Sequence, residues 1–201
     1  MTDNFERFRP FMQLPEEEGG DAYYVIELVR RGMDCPVLPA AIYHFMNYYI
    51  NTLKKYDGVQ EEIRSLCRTL RLRAYVSVNR KSFRQVTMNT IAEMSRRAAL
   101  DDFRRPYAVF ESCSGKFVNK DDKHWVDVDD CDWKTIVYIE HLVEKCKPEG
   151  NKADLILPTR SGCHLITRPF DVGEFQLMMK EKEKELPEIK KNHLTLLYEE
   201  L

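Results

Sequence analysis

The hydrophobic period of this chain changes within about twenty residues. Between Val59 and Leu70, the residues Ile63, Leu66, Cys67 and Leu70 recur at steps of three and four, with Arg64, Arg68 and Arg71 on another face. That is the stripe of a helix buried on one side. From Arg73 to Asn79, Ala74, Val76 and Val78 alternate with Arg73, Tyr75, Ser77 and Asn79. Alternation at period two is the pattern of a half-buried strand. A chain that makes both elements back to back, and then places further β-rich runs in hairpin order, reads as α+β rather than as a doubly wound parallel sheet.

The remaining elements follow the same signals. The acidic Glu16-Glu17-Glu18-Gly19-Gly20 stretch closes an N-terminal arm, and Asp21 to Arg31 reads as a strand or a short helix. Ala41, Ile42, Phe45, Met46, Tyr49, Ile50 and Leu53 recur at helical steps and predict a helix over Leu38 to Tyr56, ended by Gly58. Ser82 caps a helix reaching Ala99. Tyr107 to Cys113 and Lys123 to Asp129 read as strands around Ser114-Gly115, and Asp132 as the N-cap of a helix from Trp133 to Lys147. Ala153 to Pro158 and Cys163 to Thr167 form a hairpin across Thr159-Arg160-Ser161-Gly162. A helix over Val172 to Lys184 and a strand over Leu194 to Tyr198 complete the pattern. The expected organisation is an arm and helical module over 1–72 and an α+β core over 73–201, within one compact unit.

Composition bounds the function. The 201 residues carry 31 Lys and Arg against 33 Asp and Glu, a net charge of -2, with a mean hydropathy of -0.51. Such a balance offers no global attraction to nucleic acid or to an anionic membrane. No apolar run approaches the roughly 20 residues that span a bilayer, and Met1 to Glu6 lacks the regions of a signal peptide. A cytoplasmic protein without a membrane partner is expected. The six cysteines include no C-x-x-C pair, which argues against a zinc ribbon and for reduced, packed thiols.

The charge is not evenly spread. Residues 121–133 hold six aspartates against one lysine, a net of -5, while residues 61–105 hold eleven Arg and Lys against five acids, a net of +6. Within His124-Trp125-Val126-Asp127-Val128-Asp129-Asp130, Asp127 and Asp129 share one strand face, while Val126 and Val128 share the other. Paired carboxylates of this kind suit a hard divalent ion such as Mg²⁺ or Mn²⁺, and equally an acidic strand end running into an Asx turn. Arg160, Ser161 and Gly162 can present a guanidinium and backbone N–H groups to a phosphate, with His164 as a further donor and Arg168 four positions on. In the basic stretch, Arg73, Asn79, Arg80, Lys81 and Arg84, interleaved with Tyr75 and Phe83, are of the type that grips nucleic acid, or else line solvated faces.

Taken in order, the D-x-D strand Trp125-Val126-Asp127-Val128-Asp129, the turn Ser161-Gly162-Cys163-His164 and the late acidic strand Leu196-Leu197-Tyr198-Glu199 resemble the catalytic core of the archaeo-eukaryotic primase superfamily, the primase-polymerases. The second motif departs from the family's S-x-H by one residue, being S-x-x-H. The resemblance covers about residues 73–201 and implies an RRM-like antiparallel sheet with helices, preceded by a small, mainly helical module. It implies nucleotidyl transfer on a nucleic-acid template, with Asp127, Asp129 and Glu199 (Glu200 as alternate) holding two Mg²⁺ or Mn²⁺ ions. Arg160, Ser161, His164 and Arg168 would bind the nucleoside triphosphate, and Arg73, Asn79, Arg80, Lys81 and Arg84 the template. A helicase or another replication protein would be a partner. Two other classes fit the same residues: a non-catalytic nucleic-acid or nucleotide-binding module, and another metal-dependent phosphoryl-transfer enzyme such as a nuclease. The nuclease E-x-K signature is absent near Asp154-Leu155-Ile156.

Overall fold

A computed structural model describes residues 1–32, 41–119, 121–129, 133–181 and 187–200. The chain is α+β, with two antiparallel sheets. In chain order the elements are β1 (Thr2–Asp3), α1 (Phe5–Phe8), β2 (Ala22–Arg31), β3 (Ile42–Ile50), α2 (Leu53–Leu70), β4 (Arg73–Ser77), β5 (Lys81–Ser82), α3 (Phe83–Ala98) and α4 (Pro106–Lys116). They continue with β6 (His124–Asp129), α5 (Trp133–Lys145), β7 (Ala153–Pro158), β8 (Gly162–Thr167), α6 (Val172–Glu181), β9 (Glu188–Lys191) and β10 (Leu194–Glu199).

The first sheet runs β1-β10-β4-β2-β3, with β5 appended to β2; the second runs β7-β8-β6-β9. Because β4 lies between β2 and β10, the first sheet draws strands from both sides of residue 72. Alternation along β2 sorts its residues between two cores. Tyr24, Ile26 and Leu28 join Ala74 and Val76 under α1 and α2, whereas Tyr23 and Val25 pack with Val86 of α3 and with Phe117 just beyond α4. In the second sheet Val126, Val128, Cys163 and Leu165 bury against α5 and α6. Its opposite face sends Trp125, Leu157 and Ile166 into the core of the first sheet, beside Leu197 and Tyr198.

Polar clamps hold the sheets in this relation. Asn4 Nδ2 donates to the carbonyls of both Pro158 and Leu196, at 2.9 and 3.0 Å. Asn79 Nδ2 donates to Lys123 O while its Oδ1 accepts from Lys123 N, at 3.1 and 2.8 Å. At the corner joining β9 to β10, Asn192 takes φ 48°, a left-handed conformation that asparagine tolerates better than most residues.

Three local expectations differ from the structure. Residues 42–50 are strand, not helix: Ile, Tyr and Phe favour a pleated surface, and a bulge that leaves Phe45 without a Cα partner on β2 breaks strict alternation and mimics a helical step. Helix α2 starts after Thr52, whose hydroxyl accepts from Lys55 N, and it runs through the exposed Gly58 to Arg71 in the left-handed conformation. Residues 107–113 lie in α4 rather than in a strand, and Pro106 at the first helical position was the signal for it. The capping role expected of Asp132, the helix start over 38–40 and the helix end over 182–184 fall outside the described residues.

Candidate active site

The second sheet gathers the acidic motif by register alone. Trp125, Asp127 and Asp129 share the face of β6 that turns toward the first sheet. On this face Asp127 lies directly between His164 of β8 and Glu188 of β9, and Asp129 lies opposite Gly162. The hairpin turn is tight at that point. A Cβ on Gly162 would fall 1.9 Å from Val128 O, so only glycine lets β8 begin against Asp129. Ser161 Oγ then donates to Asp129 Oδ1 at 3.3 Å.

His164 is buried and engaged on both sides of its ring. Nε2 stands 3.4 Å from Asp127 Oδ1, and Nδ1 stands 2.8 Å from Thr195 Oγ1 on β10 of the other sheet. The Trp125 ring packs on the imidazole with centroids 4.1 Å apart, and Lys190 Nζ sits 4.9 Å from the centroid of the same indole. Lys190 also bridges to Glu188 Oε2 at 2.8 Å. Burial alone would raise the Asp127 carboxyl. The hydrogen bond and charge of His164, with the charges of Lys190 and Arg31, outweigh it and hold the group below the usual carboxylate range. Arg31, at the end of β2, reaches in from the first sheet with its guanidinium 5.4 Å from the centre of the Tyr75 ring.

Among the sequence-derived residues, Asp127, Asp129, Ser161 and His164 come together; several others do not. Glu199 lies in β10, is almost fully buried and pairs with Arg73 Nη1 at 3.2 Å, so both are occupied in the first sheet. A bulge between Leu196 and Tyr198 sets that register and places Glu199 opposite Arg73. Glu200 accepts from Arg68 Nε at 2.7 Å. Arg168 follows the end of β8 and pairs with Asp154, as Lys123 does. Lys81 is buried with Nζ donating to Ser114 O at 2.8 Å, and burial lowers its affinity for a proton. Asn79 is consumed in the inter-sheet clamp. Arg80 lines a cleft of about 830 Å³ with Asn79, Lys81, Lys123 and Arg168, in which Asp21, Asp121 and Asp122 offset the cations. Arg84 and Arg160 are exposed.

Two residues were missed from the sequence: Glu188, which takes the position beside Asp127 that Glu199 was expected to fill, and Arg31. The signal for Glu188 was Pro187 closing a charged run, followed by the alternation Glu188-Ile189-Lys190. Among the described residues no three His, Cys, Asp or Glu side chains form a ready-made metal cage. Asp127, Asp129 and Glu188 are oxygen donors on neighbouring positions of one face, the donor type that Mg²⁺ or Mn²⁺ takes together with substrate oxygens and water. No protein-family model matches the chain, and neither a curated protein nor a solved structure matches it.

Proposed function

We propose that this chain performs metal-dependent nucleotidyl transfer on a nucleic-acid template, in the manner of the primase-polymerases it resembles. One observation carries the reading. Asp127, kept ionised by His164, Lys190 and Arg31, sits half-buried between His164 and Glu188, with Asp129 two residues along on the same face and exposed.

Mg²⁺ or Mn²⁺ bound to Asp127, Asp129 and Glu188 would supply charge neutralisation at a transferring phosphoryl group. The chain's own residues do the rest. His164, with both ring nitrogens engaged, orients the Asp127 carboxylate rather than gripping a phosphate. Arg31 and Lys190 are the cations that face the acidic row and so the groups to hold a triphosphate, with Arg160 and the turn at Ser161 beside Asp129. Arg80 and Arg84 are the exposed members of the set assigned to the template. Unwinding of duplex template would fall to a helicase or other replication protein.

The test is template-directed nucleotide incorporation with Mg²⁺ or Mn²⁺ on primed and unprimed DNA and RNA. Wild type incorporates, and Asp127→Ala loses about 10³-fold or more, the scale of a group that stabilises transition-state charge. No incorporation by wild type on any template sinks the proposal. A second reading is a nucleotide-binding module without catalysis, favoured by the balance His164, Lys190 and Arg31 already give Asp127 without a metal. It requires nucleotide binding that survives both EDTA and Asp127→Ala.

A further inference from the structure

The four sheet edges formed by the described residues are not equivalent. The β1 edge is two residues long, and β9 is four residues carrying Glu188, Lys190 and Lys191. The β7 edge holds Asp154 and ends in Pro158, whose carbonyl is taken by Asn4. Short length, charge, proline and bulges are devices that stop a strand edge from templating another. The fourth edge, β3, has a single bulge, at Phe45, and lacks the other three. It runs for nine residues, and from Ala41 to Leu53 there is no Asp, Glu, Lys, Arg or Pro. Among the described residues only β2 pairs with it, so its outer row of N–H and C=O groups is free of backbone partners.

Over residues 42–46 the side chains of this edge are exposed and, His44 apart, largely apolar, while Tyr48, Tyr49 and Ile50 pack inward. Ile42 is 62% exposed and Phe45, at the bulge, 53%, with Tyr43 and Met46 also exposed. Helix α4 extends the patch. Phe110 packs edge-on against Tyr49 of β3, and Asn47 donates to Glu111, so this side of α4 faces the strand. Tyr107 lies one turn before them on the same side of the helix and is 69% exposed.

We propose that two copies of this chain associate through the outer edge of β3, antiparallel about a two-fold axis and flanked by Tyr107. The occupant follows from the chemistry of the edge. A two-fold contact sets each residue against its own kind or a near neighbour, which repels wherever a fixed charge is present. Residues 41–53 hold none; the charged side chains nearest the edge, Glu27 and Glu111, are engaged by His44 and Asn47 of β3. A partner of opposite charge would find nothing here to recognise, whereas a second copy meets matched apolar side chains and a complementary hydrogen-bonding row. The three aromatics offer about 150–250 Å² each when fully covered. At the observed exposures the patch supplies on the order of 500 Å² per copy before the backbone row is added, below the ~800 Å² of a standard interface. The dimer therefore dissociates on dilution.

Sedimentation velocity of the full chain across a dilution series tests this. Wild type shifts from dimer toward monomer as it is diluted from about 100 µM, well above a micromolar Kd. Phe45→Lys sediments as a monomer throughout with an unchanged far-UV circular dichroism spectrum. Should Phe45→Lys fail to fold, Tyr107→Lys, outside the sheet, weakens the dimer about tenfold, or ~1.4 kcal/mol. A wild type that is monomeric at the highest concentration overturns the proposal, including the case where the edge instead takes a strand from another protein. A dimer unaffected by both lysines overturns it equally.

Discussion

The acidic strand β6 and the basic stretch over 61–105 are the two charge anomalies of the sequence, and the fold treats them in opposite ways. In β6 the carboxylates keep their identity as a group. Asp127 and Asp129 lie on one face, Glu188 joins them from β9, and His164 and Ser161 support one oxygen of each aspartate. In the basic stretch the charge is dispersed and spent. Arg64 pairs with Asp3, Arg68 with Glu200, Arg73 with Glu199, Arg96 and Arg97 with Glu93, and Arg104 with Asp102, so among the described residues six of its ten arginines are in ion pairs with carboxylates. Strand alternation concentrates residues two apart, whereas a helix points its charges around a cylinder where neighbouring acids meet them. A segmental charge count is therefore informative on a strand and weak on helices.

Substitutions that break this contrast differ most at Glu199. Glu199→Gln removes the buried carboxylate that faces Arg73 in the first sheet, and breaking a buried ion pair by removing one partner costs about 3–5 kcal/mol. A thermal midpoint lower by roughly 10 °C is expected for a chain of this size, with incorporation by the folded protein retained. Loss of incorporation at unchanged stability would move the working carboxylate from β9 back to β10.

The two faces of β6 provide the next test, because its helix-facing side is kept neutral. Burial, reinforced by the charge of Lys191, pushes His124 down to about 4. A histidine depressed in the folded state binds its proton more readily when unfolded. Stability is therefore fully present above about pH 6.5 and falls as the pH drops toward 4, by up to ~3 kcal/mol. Thermal unfolding from pH 7 to pH 4 should show this loss in wild type and a shallower one in His124→Gln; parallel curves would rule out His124 as the source.

A smaller effect is expected at the link between the sheets. Thr195→Val removes the hydroxyl on His164 Nδ1 and costs about 1 kcal/mol in urea unfolding, while Thr195→Ser restores it. Equal losses in both variants would assign the effect to packing of the methyl group. At the small end, Arg96→Ala on the exposed face of α3 leaves the thermal midpoint essentially unchanged. It should also leave nucleic-acid affinity unchanged in a fluorescence-anisotropy titration. A clear weakening would show that ion pairing with Glu93 does not remove that arginine from binding.

The parts of this architecture that could be read in advance are those where one physical signal dominates. The β7–β8 hairpin, the two faces of β6, the Ser82 cap and the strand over 73–77 follow from alternation, a glycine turn and a capping hydroxyl, all local. Strand β3 and helix α4 were misread because a bulge at Phe45 disturbs alternation, and because Pro106 had to be weighed against an aromatic run that favours strands. Within the site, Asp127 and Asp129 were legible from alternation along β6, and His164 from the β7–β8 hairpin turn that it follows, although the pairing of β8 with β6 that joins them is not local. Glu188 was not, since its place beside Asp127 depends on a strand pairing across some sixty residues. Arg31 depends on the docking of two sheets, which no local pattern specifies.

The most direct measurement of the central claim is a calorimetric titration of Mn²⁺ into wild type, Asp127→Asn, Glu188→Gln and Glu199→Gln, with a non-hydrolysable nucleoside triphosphate present. If the acidic row of the second sheet is the metal site, Asp127→Asn abolishes binding, Glu188→Gln weakens it about tenfold or more, and folded Glu199→Gln binds like wild type. Binding that is lost in Glu199→Gln but intact in Glu188→Gln, or a wild type that takes up no Mn²⁺, would contradict it.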